Sequence, residues 1–151
     1  MGMAVTVHLL GVIIWVGGMF FAHMVLRGAV NETLEPEQRL PLMLKVFDGF
    51  FPWVWLSVIL ILASGYWMLF FVYETETTHW LGLMSVAGTL MAAIFVFIYA
   101  IPYHQFSNAI KSQDLAKAVA SVTLIRQLIL TNLVLGLLVT LTTLLGRHGV
   151  I

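Results

Sequence analysis

Cysteine is absent from the 151 residues. That excludes disulfides, thiolate zinc sites, iron–sulfur clusters and a cysteine nucleophile. Charge is almost as scarce: seven Lys and Arg stand against seven Asp and Glu, 9% of the chain, and the formal net charge is zero. A soluble domain carries about 25% charged residues, and without a basic surplus there is no electrostatic footprint for nucleic acid. The carboxylates (Glu32, Glu35, Glu37, Asp48, Glu74, Glu76, Asp114) all fall outside the long apolar runs, so no relay of buried acids is written into the chain. No hydrolase triad, phosphate-binding loop or zincin motif occurs. No Lys or Arg precedes the first apolar run, which is longer than the core of a signal peptide and is read as a retained membrane span.

What remains is largely hydrocarbon. Hydrophobic residues make up 61% of the chain and the mean hydropathy is +1.01. Four apolar segments, about 3–26, 51–72, 80–102 and 124–145, are long enough to cross roughly 30 Å of lipid core, which takes about 20 helical residues. Lipid offers no partner to an unpaired peptide group, so these segments are expected to be helices. The reading is a single-domain, all-α integral membrane four-helix bundle.

Six basic residues (Arg27, Arg39, Lys45, Lys111, Lys117, Arg126) follow the first and third segments, and only Arg147 lies at the other end. The positive-inside rule then puts both longer loops in the cytoplasm and both termini outside, in a bacterial-type inner membrane. Trp53, Trp55, Tyr99 and Tyr103 would mark the cytoplasmic interface, with Tyr73 and Trp80 at the outer one. Short amphipathic helices are expected in both loops. One would be capped by Thr33 and lie on the membrane surface through Leu40, Leu44 and Phe47; the other would be capped by Ser112.

Polar groups within the spans are costly and each asks for a reason. His8, Gly11, Trp15, Gly18 and Ala22 share one helical stripe, small residues flanking a large planar one. Such a stripe admits either a neighbouring helix or a flat cofactor. In the deduced topology His8, His79 and His148 belong to the outer half, and His23 and His104 to the inner half. Imidazole is a good ligand for haem iron and for copper, so His8–His79 and His23–His104 are the two candidate metal-ligating pairs. His8 and His23 lie about 22 Å apart along one helix. For each of these histidines the competing reading is an interfacial or packed imidazole. Arg126 is a candidate partner for a carboxylate, either a haem propionate or Asp48. Asn132, deeper in the fourth segment with Gly136, Thr140 and Thr143 on its stripe, needs a hydrogen-bond partner, which an interhelical contact or a ligand would supply. Ser57 and Ser64 are expected to bond to their own helix. The eight methionines include Met84 and Met91 one heptad apart. Thioether with imidazole suits copper(I), but methionine also fills irregular apolar gaps, and no dense methionine ladder is present.

His8 followed by Trp15-Val16-Gly17-Gly18, the stretches QRLPLMLKVFDGFFPWVW and SGYWM, and Ile125-Arg126 followed by Asn132 and Gly136 resemble the CopD-like integral membrane family, over essentially the whole chain. A related branch, the HemJ-type protoporphyrinogen oxidases, binds haem b. The chain departs from that branch: Asn132 stands six residues after Arg126 rather than three, no Glu or Pro follows it, and the third segment lacks a basic residue. These departures speak against protoporphyrinogen oxidation and leave a haem-holding architecture as what the resemblance implies.

The leading expectation is therefore a haem b-binding membrane protein with an electron-transfer role, an oxidoreductase component linked to quinol. His8 and then His79 would be its axial ligands, Gly11, Trp15 and Gly18 would wall the ring, and Arg126 and Asn132 would orient a polar group. An inner His23–His104 haem competes with it. The alternatives are copper transport or resistance of the CopD type, and a non-catalytic subunit that assembles through its small-residue stripes. A bundle of this size is compatible with a homodimer.

Overall fold

The computed structural model describes residues 2–72 and 79–147, apart from the side chain of Arg147. Tyr73 and His148 lie outside the described residues. Four long helices run up and down, each long and apolar enough to cross a bilayer. The first span comprises α1 (Gly2–Phe21), a wide π turn (Ala22–Leu26) and α2 (Arg27–Thr33). The second is α3 (Pro36–Phe71). The third comprises α4 (His79–Ile98), a π turn (Tyr99–Tyr103) and α5 (His104–Lys111), and the fourth is α6 (Leu115–Arg147). Large apolar side chains such as Ile13, Phe20, Ile59, Phe71, Val86 and Leu141 point outward. In water that surface would be a liability; in a bilayer it is the face that meets lipid. The chain is a multi-pass membrane protein.

The helices reach further than the apolar runs. The expected surface helix after Thr33 does not stand alone: Pro36–Phe71 is one continuous helix. Its start is set by Glu35 in an extended conformation and Pro36 in the first turn, where a missing N–H costs nothing. Pro41 and Pro52 interrupt the hydrogen-bond ladder without ending the helix, and both lie on its exposed side. Thr33 bonds back to the Ala29 carbonyl instead of capping α3. The turn between spans is held by Arg39, whose Nε donates to the Leu34 carbonyl (2.9 Å) and Nη2 to that of Asn31 (2.8 Å). In the third span Pro102 lies within the π turn. It lacks an N–H and crowds the preceding turn, a sufficient cause for local widening.

The second connection is capped by Asp114, not Ser112. Asp114 Oδ1 accepts from the Lys117 N–H at 3.1 Å, while Ser112 bonds back to Ala109. The preceding helix closes with paired bonds from Asp114 N–H to the Ala109 carbonyl (2.9 Å) and from Gln113 N–H to that of Ile110 (3.3 Å). This Schellman pattern requires a left-handed residue, and Gln113 occupies it at φ 57°.

The first span packs chiefly on the second and the third on the fourth, and the two hairpins meet side by side. At the loop end the interior is filled by aromatic rings. Phe47 stacks on Phe51 (centroids 5.3 Å apart), which meets Phe95 edge-on at 5.6 Å, and Phe95 meets Trp15 at 6.2 Å. Ala118, Val122, Ile125, Ile129 and Leu133, at spacings of three and four, bury the facing stripe of the fourth span. Asp48 ties the second span to the third by accepting from the Tyr103 hydroxyl.

Among the described residues other than glycine, Gln113 alone has a left-handed backbone. Gln113→Gly is therefore expected to raise unfolding stability in detergent by about 0.5–1 kcal/mol. Thermal unfolding of the two proteins side by side measures it.

Candidate functional site

Toward the end that carries the termini, the hairpins part and leave a cavity of about 750 Å³ lined by all four spans. Small-molecule sites occupy roughly 300–1,000 Å³. Trp15, the last ring of the aromatic column, lines it along with His8 from the first span. Gly65, Gly88 and Gly136 contribute little volume on the other three, and a methyl group on Gly88 would meet nothing within 4 Å. Met68, Met84 and Met91 bring three thioethers. Tyr66, Ser85, Thr140 and Thr143 bring hydroxyls. Two of these are committed: Ser85 to the Leu81 carbonyl and Thr140 to that of Gly136. The Tyr66 hydroxyl donates to Thr89 Oγ1 (2.7 Å), whose own proton goes to the Ser85 carbonyl. No Asp, Glu, Lys or Arg stands among the described lining residues.

His8 is held from behind. Its Nδ1 lies 3.1 Å from the Ile61 carbonyl and 3.1 Å from Ser64 Oγ. A carbonyl only accepts, so Nδ1 carries the proton and the neutral ring keeps its Nε2 lone pair free. Ser64 Oγ donates to the Leu60 carbonyl and is left as an acceptor toward the imidazole. Gly65 supplies the space: a methyl group there would come within 3.2 Å of His8 Cε1. The SGYWM stretch is thus the seat of His8, with Ser64 orienting the ring, Gly65 clearing room for it, and Tyr66 and Met68 lining the same cavity. A histidine fixed through one nitrogen by a carbonyl with the other nitrogen bare is the arrangement in which imidazole ligates metals.

The remaining sequence candidates fall in different places. His79 is exposed and is not among the lining residues, although its neighbour Trp80 is. His23 lines a crevice of about 20 Å³ at the loop end, beside Arg27 and Arg126. His104 is exposed there, with Nδ1–H donating to the Tyr99 carbonyl at 2.6 Å. Gly11 packs against Ile61 and the Ser57 carbonyl, and Gly18 against the ring of Phe50, so both glycines serve the contact between the first two spans. Asn132 is 1% exposed and donates from Nδ2 to the Met91 carbonyl at 3.1 Å, joining the third and fourth spans. Asp48, occupied by Tyr103, does not pair with Arg126. Among the described residues no cluster of three or more His, Asp or Glu could hold a metal.

The interhelical bond of Asn132 makes a separable prediction. Asn132→Leu should lower stability by about 0.6 kcal/mol, the average for hydrogen bonds between membrane helices, and leave helix content unchanged; parallel unfolding titrations and circular dichroism decide.

No curated protein and no solved structure matches the chain. The family model described as copper resistance protein D matches residues 44–145, which takes in all of the cavity wall contributed by the second and third spans and most of that from the fourth. The first span, with His8, precedes the matched stretch. That match extends over more than half of the sequence, and the chain belongs to the CopD family.

Proposed function

We propose that this protein handles copper within the membrane, taking copper(I) as cargo in the cavity between the two hairpins. The single observation that carries the reading is the donor set of that cavity: one imidazole with its Nε2 free, three thioethers and no fixed charge among the described lining. Neutral thioether and imidazole donors select the soft monovalent ion over hard divalent cations, which call for carboxylates. Membership in the copper-resistance family supports the same metal. The distribution of basic residues favours an orientation with the cavity toward the outer side of a bacterial-type inner membrane and the loop end in the cytoplasm.

The volume of the cavity favours a second reading, since it exceeds what one ion needs. Haem b with His8 as axial ligand fits by size and by donor, and it would supply one-electron chemistry. Its propionates fit poorly, because no Lys or Arg lines the described wall to receive them.

Purified protein loaded anaerobically with copper(I) is expected to remain colourless and to retain stoichiometric metal against a chromogenic chelator. His8→Ala should weaken retention by about 100-fold, and Ser64→Ala, which loosens the ring without removing it, by about tenfold. A Soret band that shifts in His8→Ala would replace copper with haem. Protein that holds neither, with wild type and His8→Ala alike, would leave an assembly subunit.

A further inference from the structure

The loop end of the bundle carries a different chemistry. His23 and Arg27 from the first span and Arg126 from the fourth line one small crevice, floored by Met43, Phe47 and Ile129. Both guanidinium-bearing side chains border it, so their charges add at one place. Among the described residues neither forms an ion pair, and the one acid suited by position, Asp48, is taken by Tyr103. Arg126 Nε is buried with no hydrogen-bond partner. A guanidinium presents five donors and cannot shed its charge, so two of them lining one crevice with no acid paired to either favour an anion there.

We infer that this crevice binds a phosphate oxyanion, and specifically the headgroup phosphate of an anionic phospholipid. The opening of about 20 Å³ has room for a single oxygen, not for a whole ligand. One phosphate oxygen would sit in the crevice between Arg126 and Arg27, with the others at the rim. Depth selects a lipid over a soluble anion. Arg27 ends the first apolar run and Arg126 stands at the start of the fourth, so both lie at the level where headgroups sit. Arg27 is exposed beside a crevice floored by apolar side chains, next to lipid-facing Met24 and Val25. Basic pockets between membrane helices on the positively charged side recognise such headgroups. The site is independent of the copper reading, because it shares no residue with the cavity of His8.

Native mass spectrometry of delipidated protein in neutral detergent tests it, with phosphatidylglycerol and phosphatidylcholine of identical acyl chains, and with inorganic phosphate as competitor. The wild type should retain phosphatidylglycerol in preference to phosphatidylcholine. Arg126→Gln and Arg27→Gln should each reduce that preference by about fivefold, the value of one interfacial cation, while the exposed Lys117→Gln leaves it unchanged. Arg27 is exposed, so its variant reports even if Arg126→Gln fails to fold. Displacement of the lipid by millimolar phosphate would support the oxyanion site and assign it to a soluble source. Equal retention of both lipids by the wild type, or an undiminished preference in Arg27→Gln, would overturn the inference.

Discussion

In hydrocarbon each peptide N–H and C=O must find its partner within its own helix, and this constraint leaves the chain only side-chain size and side-chain polarity with which to shape its interior. Size accounts for the two halves of the bundle. Where Phe47, Phe51, Phe95 and Phe106 meet, the four spans close on a column of rings. Toward the other end the rings give way to a cavity bordered by Gly65, Gly88 and Gly136, of which Gly88 alone faces open space. Polarity then determines what the open half can hold. Most hydroxyls along the spans return to a carbonyl of their own helix, as groups in lipid do when no other partner is offered. His8 cannot do so, and its ring is satisfied across the hairpin by the second span.

The number of spans and their helical nature were legible in the chain, because the bilayer thickness fixes the length of an apolar run. The ends of the helices were not. Charged and polar residues beyond Leu26 and before Phe51 read as loop, yet α2 and the first turns of α3 continue the spans past the apolar core. Thr33 and Ser112 looked like caps on composition, but the cap of the last helix is Asp114, one of several polar residues there whose roles only the backbone geometry separates.

The inward placement of His8 followed from cost alone, since an imidazole facing lipid would be unpaired. Its neighbours did not follow, because periodicity gives the face of a helix and not the helix opposite. For the same reason Gly11 and Gly18, on the stripe of His8, sit against Ile61 and Phe50, whereas the glycines that border the cavity come from the other three spans. Arg126 and Asn132, six residues apart in sequence, belong to different surroundings: a cationic crevice and a buried interhelical bond.

The π turn at Ala22–Leu26 sets the phase of the first span. A turn of this kind accommodates one residue more than the α-helix on either side of it. Removing a single residue there would let an α-helix run through with its phase kept, whereas straightening the turn with every residue in place would rotate everything before it by about 100° relative to Arg27. His8 would swing off Ile61 and Ser64 toward the acyl chains, and the face now occupied by Leu9 or Val12 would turn to the second span. The two ends of this helix, one presenting an imidazole and the other a guanidinium, are thus keyed to each other by a single surplus residue.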